Sequence, residues 1–67
     1  MKENNYGEAL KYQREINGLS QNELAKKTNI AQQNISRWEA GIAMPSLDAC
    51  IKLAEFYGIT LDELVGR

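Results

Sequence analysis

Two six-residue segments of the chain, LSQNEL at 19–24 and ITLDEL at 59–64, carry the same signal for the start of a helix. In each segment a hydroxyl residue, Ser20 or Thr60, is followed three residues later by glutamate, which is the pattern of a capping box. Apolar residues on either side of the box form a staple that fixes how the chain enters the helix. The two segments therefore predict helices that begin immediately after Ser20 and Thr60.

Signals for other helices are spread along the rest of the chain. Ser46 follows Pro45 and precedes an apolar run with Asp48 near its positive end, which predicts another helix start. Glycines at 18, 41 and 58 each close an amphipathic run, as residues that tolerate a left-handed backbone do at helix ends. We expect no strand and five short helices at about residues 6–17, 21–28, 32–40, 47–57 and 61–65, the first starting near Asn5.

The connection between the second and third expected helices is short. Only Asn29, Ile30 and Ala31 separate them, and asparagine is, after glycine, among the residues that adopt positive φ most readily. Ala31 stands where a hydroxyl residue would normally accept amide hydrogen bonds, so the third helix lacks a side-chain cap. A tight, angled turn follows, and the 67 residues suffice for a single all-α domain, residues 1–67.

Composition excludes several classes of function. The chain has no histidine and one cysteine, Cys50, so it lacks the clusters that hold zinc or iron, and we expect no metal and no cofactor. No apolar stretch is long enough to span a membrane, and the first residues, MKENNYGEAL, lack a hydrophobic segment, which predicts a cytoplasmic protein. The carboxylates are scattered over expected helix surfaces, so we predict no enzymatic activity and no small-molecule ligand.

The third expected helix has a polar face and an apolar face. Its polar side chains fall on one side at about 100° per residue: Gln32, Gln33, Ser36 and Arg37. Ile35 and Trp38 point the other way, toward the core. Glutamine can hold adenine with two hydrogen bonds, and arginine can hold guanine in the same manner. Residue type alone would make both glutamines ordinary solvated side chains, whereas this pattern suits the reading of bases.

The segment LSQNELAKKTNIAQQNISRWEAG, residues 19–41, resembles the helix-turn-helix of the phage-repressor and Cro family, also called the XRE family. The following PSLDACIKLAEFYGITLDELVG is similar to that family's fourth and fifth helices, so the resemblance covers about residues 6–66. It implies a lambda-repressor-like domain whose third helix enters the major groove of double-stranded DNA. Gln32, Gln33, Ser36 and Arg37 would then contact bases, and Arg37 could equally well grip a phosphate.

The same resemblance implies roles for residues outside that face. Gln21, at the start of the second helix, matches a phosphate-contacting position, and a helix N-terminus is itself an anion site. Asn34 and the loop after the third helix, including Ala43, also resemble backbone-contacting positions, although family members often have Lys or Arg in this loop. Arg14 and Glu39 match a structural ion pair between the first and third helices. These assignments predict phosphate contacts that flank the base-reading face.

The charge of the chain is low for a protein that binds nucleic acid. The net charge is −1, whereas lysine and arginine supply most non-specific DNA affinity. Residues 20–45 carry three cations against two carboxylates, and residues 46–67 carry two against four. We expect weak binding by the monomer, a shallow salt dependence and reliance on a homodimer. The resemblance implies a two-fold interface in the last part of the chain, where Leu61, Leu64 and Val65 either complete the core or contact the second copy. Phe56 and Tyr57 would assist this interface.

The sequence leaves two functions open. The favoured hypothesis is a transcriptional regulator of bacterial, phage or mobile-element origin, a repressor that binds a palindromic operator as a homodimer. The alternative is a protein-interaction module, such as an adaptor or antitoxin, for which DNA binding is secondary. The acidic final part of the chain and its low charge favour this alternative somewhat.

Overall fold

Five α-helices follow one another in the computed structural model, which describes residues 6–67. They are α1 (Gly7–Ile16), α2 (Gln21–Thr28), α3 (Gln32–Glu39), α4 (Leu47–Tyr57) and α5 (Leu61–Leu64). No strand occurs between residues 6 and 67, so the predicted all-α class is confirmed. The observed helix ends agree with the predicted ones to within one residue, while the start expected near Asn5 lies outside the described residues.

The capping boxes form as the sequence predicts. Ser20 Oγ accepts a hydrogen bond from Glu23 N at 3.0 Å, and Glu23 Oε1 accepts one from Ser20 N at 2.8 Å. The same exchange at Thr60 and Glu63 has distances of 3.0 and 2.9 Å. These bonds favour the carboxylate form, and the hydrogen bonds from Ser20 lower the pKa of Glu23. Two of the amides left free at each helix start are thereby satisfied.

The turn before α3 adopts the geometry expected of its residues. Asn29 has φ 60 and ψ 28, which is the left-handed region, and it ends α2. Ala31 is extended at φ −61 and ψ 133, and its side chain makes no capping bond. Backbone contacts compensate in part, because the Ala31 carbonyl accepts hydrogen bonds from the amides of Asn34 and Ile35 at 3.0 and 3.3 Å.

The buried core draws on all five helices. Its members are Leu10, Leu24, Ile35, Trp38, Leu53, Ala54 and Leu64. Helix α3 contributes Ile35 and Trp38 and contacts both α1 and α2. Burying a side chain such as Ile35 contributes about 1.5–3 kcal/mol, more than the ~1 kcal/mol that a missing cap costs. Packing therefore holds α3 by one face and leaves its other face accessible.

Burial changes the set of residues that could form a dimer interface. Leu64 is 0% exposed and lies inside the core of its own chain. The structure therefore favours the core role that the sequence left open for Leu64 over a place in the dimer interface. Tyr57 and Val65 are half-buried, whereas Phe56 and Leu61 are 39% and 40% exposed. Within residues 6–67 no helix has the length and apolar character needed to cross a membrane.

Candidate nucleic-acid interface

The exposed face of α3 presents the polar side chains that the sequence predicts as base-reading. Gln33 and Arg37 are exposed, and Gln32 and Ser36 are half-buried. Asn34 is exposed beside them, whereas Ile35 and Trp38 are buried on the opposite side. No helix of the described range covers Gln33 or Arg37. The five polar residues of this face, Gln32, Gln33, Asn34, Ser36 and Arg37, are called the α3 polar face below.

Beneath this face an ion pair joins α1 to α3. Arg14 Nε donates to Glu39 Oε2 at 2.8 Å, and Arg14 Nη2 donates to Glu39 Oε1 at 2.9 Å. The third nitrogen, Arg14 Nη1, donates to the carbonyl of Leu19 at 2.7 Å. Hydrogen bonding to Glu39 raises the pKa of the Arg14 guanidinium above its ordinary value, against the effect of burial. The two-point contact fixes the C-terminal part of α3 relative to α1, and the bond to Leu19 ties both to the end of the α1–α2 connection.

A chain of side-chain hydrogen bonds leads from the ion pair to the α3 polar face. Gln21 Nε2 donates to Glu39 Oε1 at 3.0 Å, and Gln21 Oε1 accepts from Gln32 Nε2 at 2.8 Å. Gln21 and Gln32 are the first residues of α2 and α3, so the packing of these helices brings their amides together. We refer to Arg14, Glu39, Gln21 and Gln32 as the amide relay.

The amide relay leaves part of Gln32 free to meet a base. Its side-chain carbonyl oxygen and one of its two N–H groups are not used in the bond to Gln21. An acceptor and a donor side by side are what adenine N6 and N7 require. The bond to Gln21 restricts the orientation of the amide, so less rotational freedom remains to be lost on binding. Sequence reasoning found both glutamines but not their bond, because helix-start positions 11 residues apart give no signal of contact.

Positive charge near the relay comes from a residue that the sequence analysis did not single out. Lys11 is exposed on α1 and shares a cleft of about 300 Å³ with Gln21, Ser36 and Glu39. Gln21 opens α2, and the first backbone N–H groups of any helix have no acceptor within that helix. A lysine beside free amides favours an anion such as a phosphate oxygen. The signal in the sequence that could have identified Lys11 was its position three residues before Arg14.

The loop after α3 differs from the rest of this surface. Its amides fold back on the helix, with Ile42 N donating to the Arg37 carbonyl at 3.0 Å and Ala43 N at 3.4 Å. Ala43 has no other donor, so its expected phosphate contact would have to break or share that long bond. Ile42 and Met44 are 76% and 58% exposed, and the loop contains no lysine or arginine. The loop is therefore an apolar edge of the surface.

Residues 10–64 match the family model described as helix-turn-helix, which covers most of the chain. The chain belongs to the XRE-type helix-turn-helix family. It is similar to the uncharacterized HTH-type transcriptional regulator MJ0272 of Methanocaldococcus jannaschii, with 38% identity over 82% of this chain and 83% of that protein. The expected resemblance to the phage-repressor and Cro family is confirmed at the level of the family.

Two longer relatives extend the comparison. The HTH-type transcriptional regulator ImmR of Bacillus subtilis is 36% identical over 91% of this chain, which spans 48% of ImmR. The HTH-type transcriptional activator BcrR of Enterococcus faecalis is 30% identical over 90% of this chain, which spans 29% of BcrR. The similarity to these two proteins thus concerns about half or less of their length. In both comparisons, the matched part includes nearly all of this chain.

Proposed function

We propose that this protein recognises a specific double-stranded DNA sequence with the α3 polar face and thereby regulates transcription. One observation carries the proposal: Ile35 and Trp38 hold α3 against the core while the amides of Gln33 and Asn34 and the guanidinium of Arg37 stay exposed. A rigid helix with free donors and acceptors along one side suits the major groove, where every base pair has its own hydrogen-bonding pattern. The names of the relatives, all HTH-type regulators, support the same function.

Each side chain of the interface has a proposed role. Gln32, Gln33 and Ser36 read base edges, and Arg37 reads guanine or grips a phosphate. Gln21, Asn34 and, weakly, Ala43 contact the phosphate backbone, and Lys11 adds a cation beside Gln21. The Arg14 and Glu39 pair serves a structural role by holding α3 in place.

We further propose that two copies bind a palindromic operator in the cytoplasm. A two-fold dimer places its recognition helices one DNA turn apart, about 34 Å, which doubles the contacts available to a weakly charged monomer. Phe56 and Leu61 have the exposure for such an interface, and Val65 and Tyr57 could line its edge. Where the operator overlaps a promoter, the bound dimer blocks transcription and acts as a repressor. BcrR is named an activator, so a reporter assay must be able to detect both activation and repression of transcription.

Selection of binding sites from a random DNA pool tests the proposed recognition. We expect the wild type to enrich a palindromic motif, and Gln33→Ala to lose preference at one position in each half-site, where a bidentate pair contributes about 1–3 kcal/mol. Arg37→Ala changes base preference if it reads guanine, or weakens all sequences alike if it binds phosphate. Arg67→Ala, which also removes an exposed arginine but from the segment after α5, is the matched control for Arg37. Failure of the wild type to enrich any motif at low salt would reject specific DNA recognition.

A protein-interaction module is the second candidate, and the apolar loop after α3 favours it. Ile42 and Met44 are exposed in a loop without lysine or arginine, so this surface has no charged side chain to contact a phosphate. Sedimentation analysis of Leu61→Glu and Ile42→Glu separates the two surfaces: we expect Leu61→Glu to give monomers and Ile42→Glu to leave the dimer intact. The reverse result would move the contact between copies to the loop. If the wild type itself sediments as a monomer, the homodimer is rejected.

A further inference from the structure

The hydroxyl group of Tyr57 is a buried polar group with no hydrogen-bond partner among residues 6–67. Tyr57 is the last residue of α4, and its ring packs edge to face on Phe56 with 5.2 Å between the ring centroids. Its Oη atom is inaccessible to solvent and forms no hydrogen bond with any of residues 6–67. A buried hydroxyl that has given up its bonds to water is costly unless another group replaces them.

Tyr57 lines a small cavity. Its volume is about 10 Å³, and its walls are Glu39, Tyr57 and otherwise apolar core side chains of the first four helices. A cavity of about 10–15 Å³ is the smallest that accommodates one water molecule. The space therefore suits a single water and excludes any larger ligand.

The carboxylate of Glu39 has one acceptor position left. Its two oxygens offer about four lone-pair positions. Among residues 6–67, Oε1 accepts from Arg14 Nη2 and Gln21 Nε2, whereas Oε2 accepts only from Arg14 Nε. Glu39 has an unused acceptor position and Tyr57 an unused donor among the described residues, and both residues line the same cavity.

We propose that this cavity binds one structural water molecule, which accepts a hydrogen bond from Tyr57 Oη and donates one to Glu39 Oε2. The water satisfies both groups and supplies the two polar partners that a buried water needs as a minimum. Burial, followed by the negative charge of Glu39, raises the pKa of Tyr57 to about 12, so the phenol keeps the proton that it donates.

Through this water α4 becomes connected to the amide relay. Glu39 already orders Gln21, and Gln21 orders Gln32 at the start of α3. Tyr57 is in this sense a positioning residue for the base-reading amide, a consequence that rests on the proposed function. The water site itself does not depend on DNA binding.

Comparing Tyr57→Phe with Tyr12→Phe tests the water site. Tyr12 is 60% exposed, so removing its hydroxyl controls for the change of residue without touching the cavity. We expect Tyr57→Phe to lower the folding equilibrium constant in urea by roughly threefold to tenfold, the range of one hydrogen-bonded group, and Tyr12→Phe to leave it unchanged. If the hydroxyl instead lacks a water partner, Tyr57→Phe removes an unsatisfied group, and equal or greater stability would overturn the proposal.

A high-resolution crystal structure of the wild type provides the direct readout. We expect one water within hydrogen-bond distance of both Tyr57 Oη and Glu39 Oε2, absent from Tyr57→Phe; an empty cavity or direct contact between the two atoms contradicts the proposal. In solution, the Arg14 Nε–H resonance reports on Glu39 Oε2 and is expected to shift in Tyr57→Phe but not in Tyr12→Phe. None of these measurements uses DNA, so their outcome does not depend on whether the protein binds a specific DNA sequence.

Discussion

Glu39 brings its negative charge into a site where its side chain is only 5% exposed. Three hydrogen bonds, two from Arg14 and one from Gln21, replace the water it has lost. A buried pair of this kind need not stabilise the fold much in total, because removing two ions from water is expensive. Removing one partner is different, since the other charge then stays buried without compensation. Removing either residue alone is therefore expected to lower the free energy of unfolding by more than the intact pair contributes to it.

Glu39→Ala is expected to lower the free energy of unfolding by about 3 kcal/mol, because it leaves the Arg14 guanidinium unpaired. Urea denaturation measures the change, and Glu55→Ala on the exposed side of α4 is the control, with an effect within about 0.5 kcal/mol. The double variant Arg14→Met/Glu39→Met should lose less stability than the sum of the losses in Arg14→Met and Glu39→Met, since neither charge remains alone. A loss below about 1 kcal/mol for Glu39→Ala would place the pair among ordinary surface ion pairs.

Tyr57 predicts a loss of stability in alkaline solution. Its pKa is about 12 in the folded protein against an ordinary value of 10.0. Between these values the unfolded chain gives up the phenolic proton while the folded chain keeps it, so the free energy of unfolding falls as pH rises through this window. Below it, Tyr57 contributes no pH dependence.

Urea titrations from about pH 9 to about pH 12 follow this loss. Cys50, whose pKa is raised by burial, acts in the same direction, so the comparison of two tyrosine variants is needed to isolate Tyr57. We expect Tyr57→Phe to flatten the upper part of the profile and Tyr12→Phe to retain it. Identical profiles for both variants would show that Tyr57 ionises alike in the folded and unfolded chain.

At the scale of the helices, local sequence determines where each element begins, and tertiary packing determines what its side chains touch. The boxes at Ser20 and Thr60 predicted helix starts because their hydrogen bonds close within four residues. The burial of Leu64 was not predictable, since an apolar residue gives no indication of whether its own core or a second copy covers it. The Gln21 to Gln32 bond escaped prediction for a similar reason, because it depends on the angle between two helices.

Helix α3 offers a direct test of local capping, since Ala31 is extended like a capping residue but has no oxygen to accept an amide. We expect Ala31→Ser to raise the free energy of unfolding by about 1 kcal/mol, measured by thermal or urea denaturation. Ser46 accepts from Ala49 N at 3.1 Å, so Ser46→Ala is the matched converse and should lose a similar amount. No gain in Ala31→Ser, together with a normal loss in Ser46→Ala, would mean that the α3 amides are already satisfied.

Over the whole molecule, charge is arranged so that little of it is available for phosphates. The net charge is −1, and the guanidinium of Arg14 is consumed by Glu39. Lys26, Lys27 and Arg37 are exposed on α2 and α3, and Lys11 lines the cleft beside Gln21. Each phosphate contact contributes about −0.9 to the slope of log affinity against log salt concentration. Because few cations are available, we expect this slope to be shallow.

Placing a cation in the apolar loop distinguishes a local phosphate contact from an effect of net charge. We expect Ala43→Lys to tighten DNA binding at low salt and to steepen the slope by about 0.9 per subunit, because the loop follows the recognition helix directly. Asp62→Asn makes the same change in net charge on α5, which packs on α1 and α4, and should leave the slope unchanged. Fluorescence anisotropy over a salt series measures both. Equal changes of slope in the two variants would indicate long-range electrostatics alone. An unchanged slope in Ala43→Lys would show that the loop lies away from DNA, and this result would favour the loop as a contact for another protein.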